Sequence, residues 1–179
     1  MRAALLVALV AVLCVACSST HGSPAASSSL GVGTQVFPVA QRTAAPRLNG
    51  TTITGTPFDL TDELGHGLVA VNVWASWCGP CREEMSVLAQ AAGTSLRVVG
   101  IDERDSSRSA QRFASSHSAD YPSLADPDGK LLARLRMLPQ TGVPSTVFLD
   151  RQGRVAARVI GPVDRRALGR VLRQLGDTS

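Results

Sequence analysis

Two cysteines, Cys78 and Cys81, stand three positions apart in the run "VNVWASWCGPCREEM". A pair at this spacing can staple a loop, supply half of a metal site, or cycle between dithiol and disulfide. The chain has 4 cysteines, and the other two, Cys14 and Cys17, lie in its N-terminal segment. Tetrahedral zinc needs two further ligands, and His66 and His117 are not spaced as a second pair. No metal is therefore expected. A structural disulfide closing so short a loop would restrict the unfolded chain little, because the entropic benefit grows with loop length.

The redox reading makes direct use of the position of the pair. Residues 67–75, "GLVAVNVWA", form a nearly continuous apolar run suited to a central buried strand. The chain then turns at Ser76 and Trp77, and a helix begins around Pro80, which suits a first helical position because it has no N–H to lose. Cys78 would face free N–H groups and the positive end of the helix dipole, both of which favour thiolate. It is the expected nucleophile. Cys81, one turn further in, is expected to be more buried and to resolve the mixed disulfide. Gly79 would allow close approach of a substrate backbone.

The surrounding pattern alternates strands and helices. A small hairpin around residues 51–64 precedes the apolar strand, and residues 81–92 read as a helix. Strand 96–102, helix 106–116, a short strand at 121–125, the "DPDG" turn and helix 130–137 follow. Strands 145–150 and 154–160 and a closing helix at 164–175 complete an α/β fold with a mixed sheet.

The N-terminus is of a different kind. One arginine precedes the apolar run 3–16, which is shorter than the roughly 20 residues that span a bilayer and reads as an export signal. Val15, Ala16 and Cys17, followed by serines, resemble the lipobox of bacterial lipoproteins, with Cys17 the lipidation site. Position 14, normally leucine there, is Cys14. Ordinary signal cleavage nearby is the alternative. Residues 18–45 are rich in Ser, Ala, Gly and Pro and read as a flexible tether, which places the folded domain at 46–179. The net charge of +4 comes from 17 scattered arginines and Lys130 against 14 acidic residues. Without a basic run interleaved with aromatics, nucleic acid is not an expected partner.

"WCGPC" between a buried strand and a helix resembles the thioredoxin superfamily, and the longer run is similar to its exported TlpA/ResA/DsbE-like branch. The segment "YPSLADPDGKLLARL" also resembles a central insertion of that branch. The resemblance extends from Ala45 to the C-terminus and implies a thioredoxin-like fold that needs no cofactor. It implies a cis bond before Pro144 in "TGVPST", with the Val143 backbone contacting substrate. Trp77, Gly79 and Pro80 would complete the docking surface. Glu84 matches a glutamate the branch places near the cysteines, where it can relay the resolving thiol's proton. Asn72 replaces the buried aspartate of cytosolic thioredoxins and cannot exchange a proton, so that task falls to Glu84. Trp74 reads equally well as core, and Glu83 reads as surface. Ser145 and Ser86 depart from the threonine and the proline, respectively, that are common in the branch at those positions.

The expected activity is extracytoplasmic thiol-disulfide exchange with secreted or envelope proteins, leaning toward oxidative folding. A reductase serving cytochrome c maturation is the alternative direction. The rivals are a thiol peroxidase and a non-catalytic peptide- or metal-binding module. A monomer is expected, reset by a redox partner whose identity the sequence does not disclose.

Overall fold

The computed structural model describes residues 33–93 and 96–176. The export signal and Cys17 lie outside the described residues. Eight strands and four helices follow in the order β1 (Thr34–Val36), β2 (Asn49–Thr51), β3 (Pro57–Asp59), β4 (Leu68–Trp74), α1 (Cys81–Ala91) and β5 (Leu96–Glu103), then α2 (Ser107–Ser116), β6 (Ser123–Asp126), α3 (Lys130–Arg134), β7 (Ser145–Leu149), β8 (Val155–Ile160) and α4 (Arg165–Gly176). Six strands form one sheet in the order β1-β8-β7-β4-β5-β6. Its β4, β5 and β6 run parallel, whereas β7 opposes both β4 and β8, and β1 opposes β8. The β2-β3 hairpin leans on the outer edge of β6 through the Thr52 bridge to Leu124.

Alternation along β4 divides the core between the two faces of the sheet. Val69, Val71 and Val73 pack with Leu131, Leu132 and Leu135 around α3. Ala70 turns the other way, toward Leu88 of α1 and Leu168 and Val171 of α4. Trp74, at the strand's end, joins Phe113 of α2 and both cysteines, with its ring centroid 5.7 Å from that of Phe113. The helix starts are capped as their sequences suggest. Ser106 Oγ accepts from Ser109 N at 3.2 Å, and Asp164 Oδ1 accepts from Ala167 N at 2.6 Å. The Asp126 carboxylate accepts from Leu131 N and Leu132 N at the start of α3. That helix ends at Arg134, short of the expected Met137. Leu135 and Leu138 leave it to bury themselves in the core, and a Leu138 N to Leu135 O bond of 2.8 Å closes the turn before Pro139.

The tether expected over 18–45 does not extend that far. From residue 33 the chain belongs to the fold. Thr34 and Val36 pair with Val159 and Ala157, and Phe37 N, Ala45 N and the Thr43 carbonyl bond the β7-β8 hairpin at 2.8–2.9 Å. Buried Arg42 donates to the Phe37 carbonyl at 3.2 Å and to Asp150 Oδ2 at 3.4 Å. Three strand residues are too few to show a periodicity, and this segment becomes a strand only by adding to the edge of β8. A chain beginning at residue 46 should therefore be less stable by about 3 kcal/mol than one beginning at 33, mainly through re-exposed Val36 and Phe37. Urea unfolding of the two chains measures the difference, and equal midpoints would mean that the segment adds nothing.

Candidate active site

Cys78 and Cys81 form a disulfide with an S–S distance of 2.01 Å and a Cα–Cα distance of 5.4 Å, at the point where β4 has ended and α1 begins. Cys78 is 5% exposed and Cys81 is fully buried. Pro80 stands immediately before the first helical residue in helical backbone, and it is exposed together with Gly79. The first-turn N–H groups expected to face Cys78 are partly engaged. Cys81 N donates to the Cys78 carbonyl and Arg82 N to the Gly79 carbonyl, each at 3.3 Å, because the chain enters α1 through a tight turn. The α1 macrodipole remains to favour negative charge at this end of the helix.

Around the disulfide the structure collects residues distant in sequence. The Val143-Pro144 bond is cis, and the buried Pro144 carbonyl accepts from Gly161 N at 3.0 Å. Val143 is half-buried and packs against the cluster that holds Trp74, Cys78 and Cys81. Ser145 Oγ donates to the Gly142 carbonyl at 2.8 Å and braces the same loop. Trp77 is 58% exposed, a large apolar surface beside the cysteines, and its Nε1 reaches the Arg104 carbonyl at 3.4 Å. Asp105 Oδ2 accepts from Ser76 N at 2.7 Å and fixes the turn leading into Trp77. Trp74 is fully buried and belongs to the core. Ser86 Oγ reaches the His117 carbonyl at 3.3 Å, away from the sulfurs.

Glu84 lies one turn after Cys81 on α1 and is 1% exposed, whereas its neighbour Glu83 is exposed. Its Oε1 accepts from Asn72 Nδ2 and, at 3.0 Å, from Thr146 Oγ1, and its Oε2 accepts from Val163 N at 3.1 Å. Burial disfavours the charged carboxylate more than these donors favour it, so the pKa rises from 4.5 to about 7. A proton can therefore sit on or leave this side chain near neutral pH, one helical turn from the disulfide.

Two features of the site were not foreseen from sequence. Thr146 reaches Glu84 because β7 places it opposite Asn72, a pairing knowable only from the register. Asp102, on β5 beside Trp74, is 1% exposed, and its pKa is pushed up to about 8, first by burial and then by Asp105, Glu103 and Asp126. The acidic run at the end of β5 was the only trace of it in the sequence. Among the described residues, no group of three His, Cys, Asp or Glu side chains is arranged to hold a metal ion.

A redox disulfide at a strand-to-helix junction, set against a cis-proline loop on a mixed sheet covered by helices, defines a thioredoxin-fold thiol-disulfide site. The sequence model of the AhpC/TSA family matches residues 42–158, and the chain belongs to that family. It is similar to a DsbE homologue of Paracoccus denitrificans, a thiol:disulfide interchange protein, with 36% identity over 124 residues. The match covers 68% of this chain and 66% of the relative, so the chain spans just under two thirds of that protein's length. Among solved structures it resembles a DsbF homologue from Corynebacterium diphtheriae, with TM-score 0.73 and 32% identity over 82% of this chain and 96% of the other. A secreted thiol-disulfide isomerase from Corynebacterium glutamicum gives TM-score 0.72 and 31% identity over 84% of this chain and 95% of the other.

Proposed function

We propose that the protein is an extracytoplasmic thiol-disulfide oxidoreductase that oxidises dithiols of secreted or envelope proteins. The observation that carries this is the Cys78–Cys81 disulfide at the start of α1, with protonatable Glu84 one turn behind it. A substrate thiolate attacks Cys78, the less buried sulfur, and Cys81 leaves as thiolate and takes the proton held by Glu84. The second substrate thiolate then attacks its own sulfur in the mixed disulfide and frees Cys78. The substrate leaves oxidised and the pair remains reduced until a redox partner resets it. Trp77, Gly79, Pro80 and the Val143-Pro144 loop form the surface on which the substrate chain lies.

Export and tethering through Cys17 place this chemistry outside the cytoplasm, where disulfides form and persist. The secreted character of the Corynebacterium glutamicum relative supports the same location. Equilibration of the pair against glutathione tests the direction. An oxidant should give a potential above about −200 mV, whereas a value near or below that of thioredoxin, about −270 mV, would reverse the proposed electron flow. Catalytic reduction of insulin tests the activity itself. No turnover would leave a binding module.

A further inference from the structure

The exposed charge around the cysteines is mainly positive. Arg82 in the first turn of α1, Arg104 just after β5 and Arg108 in the first turn of α2 are all exposed. The acids of the same region are largely withdrawn from solvent or already engaged. Glu84, Asp102 and Glu103 are buried, and Asp105 uses one oxygen on Ser76 N and the other on Ser106 N, each at 2.7 Å. Of the exposed acids, Asp128 is paired with Lys130 at 2.6 Å, and Glu83 stands on α1 next to Arg82.

Arg104 differs from the other two arginines in its backbone. Its φ is 49°, in the left-handed region that L side chains adopt at a cost. Strain of this kind persists where the surroundings fix it, and it clusters at ligand sites. Here Arg104 N donates to the Asp126 carbonyl at 3.0 Å, and the Arg104 carbonyl accepts from Trp77 Nε1 at 3.4 Å, so the residue is fastened to the exposed indole that precedes Cys78. Its Nη1 donates to Glu103 Oε1. A Cβ added at Gly129 would lie 2.8, 3.0 and 3.3 Å from Nη2, Cζ and Nε, so the guanidinium lies flat over that glycine. The Arg104 side chain is nevertheless 52% exposed, and among the described residues Nε and Nη2 have no hydrogen-bond partner. A buried carboxylate behind a half-exposed guanidinium fixes the cation without hiding it.

We propose that Arg104 is a specificity-determining residue that binds a carboxylate flanking the substrate's cysteine, so that the protein prefers thiols in acidic segments of its protein substrates. The proposal rests on the exchange activity of Cys78 and Cys81 and adds the substrate class. Nε and Nη2 form one edge of the guanidinium plane, and a carboxylate can bridge such an edge with two parallel N–H···O bonds. Because Glu103 and Gly129 already hold the side chain in place, little further ordering is needed when the substrate arrives. Trp77 offers its apolar surface beside the same cation. Arg82 and Arg108 add positive charge at the starts of α1 and α2, without the fixed backbone that ties Arg104 to Trp77.

Three dithiol peptides that differ only in carrying Glu, Gln or Lys on both sides of each cysteine test this with the oxidised full chain. Disulfide formation in each peptide is followed by chromatography. Each rate is divided by the rate of the same peptide with bis(2-hydroxyethyl) disulfide, which removes the effect of the flanking charges on the thiols themselves. The normalised rate should be about fivefold higher for Glu than for Lys, with Gln between them, on the scale of an exposed ion pair and its like-charge counterpart. In about 0.5 M NaCl the ratio should fall below about twofold. In Arg104→Gln it should approach one, whatever the overall rate of that variant. Arg104→Lys keeps the charge and loses the fork, so its ratio should lie between wild type and one, and it decides alone if Arg104→Gln does not fold. Equal wild-type rates for the three peptides overturn the proposal, as does an undiminished ratio in either variant, which would assign the preference to other cations such as Arg82 or Arg108. No disulfide in any peptide overturns the exchange activity first, and this reading with it.

Discussion

Replacing Cys78 with serine should abolish insulin-disulfide reduction, lowering the rate at least about a thousandfold, on the scale seen when other enzymes lose a nucleophile. A hydroxyl is not ionised near neutral pH, and a serine cannot take part in an S–S bond. Cys81→Ser should behave differently, because the sulfur that meets the substrate is still present. In that variant an attacking thiol-disulfide exchange still joins Cys78 to the substrate, but nothing inside the protein breaks the new bond. A mixed disulfide should therefore accumulate and be visible by intact mass under non-reducing conditions. The assignment follows from position. Cys78 precedes the helix and is 5% exposed beside exposed Gly79 and Pro80, whereas Cys81 is closed off inside the first turn. If Cys81→Ser is inert while Cys78→Ser traps substrate, the two roles are reversed.

The placement on which these proposed roles rest was legible in the sequence because it depends on local order. An apolar run long enough for one strand, a two-residue turn and a proline at a helix start determine where Cys78 and Cys81 stand, whatever the rest of the chain does. β5, β7, β8, α1 and α4 were legible within a residue or so for the same reason, since each carries its own periodicity. Position of a strand within the sheet is a different kind of information. Thr34–Val36 is polar and short, and only the free edge of β8 makes it a strand. Thr146 is an unremarked residue of "PSTVF" until β7 is set antiparallel to β4 in the register that brings it opposite Asn72. Asp102 likewise acquires meaning from what burial removes, namely water around a carboxyl. Glu84 was found through family resemblance, and its raised pKa follows from the packing of α1 over β4 and the segment before α4.

That raised pKa makes Glu84→Gln the most informative substitution for stability. In the unfolded chain the carboxyl titrates at its ordinary 4.5, and in the folded protein at about 7. Between these values the folded state binds the extra proton, so the contribution of Glu84 to stability is full below pH 4.5 and is lost as pH rises through 7. The shift corresponds to about 3 kcal/mol. Asp102, raised from 3.8 to about 8, and Glu103, raised by burial, act in the same direction, so the decline in wild type is shared among three carboxyls. Glu84→Gln keeps the shape and an accepting oxygen for Asn72 and Thr146, yet places an NH₂ against the Val163 N–H. That contact lowers stability by an amount independent of pH. The pH-dependent part is separate and should shrink by about 3 kcal/mol between pH 4 and pH 8 in urea unfolding of the oxidised protein. The same variant should lose the change in exchange rate centred near pH 7 if Glu84 supplies the proton to Cys81. A pH dependence of stability identical to wild type would mean that Glu84 is charged throughout, its three donors outweighing burial. In that case the proton for the leaving thiolate would have to come from elsewhere, and Asp102, the other buried acid beside Trp74, would be the side chain left to supply it.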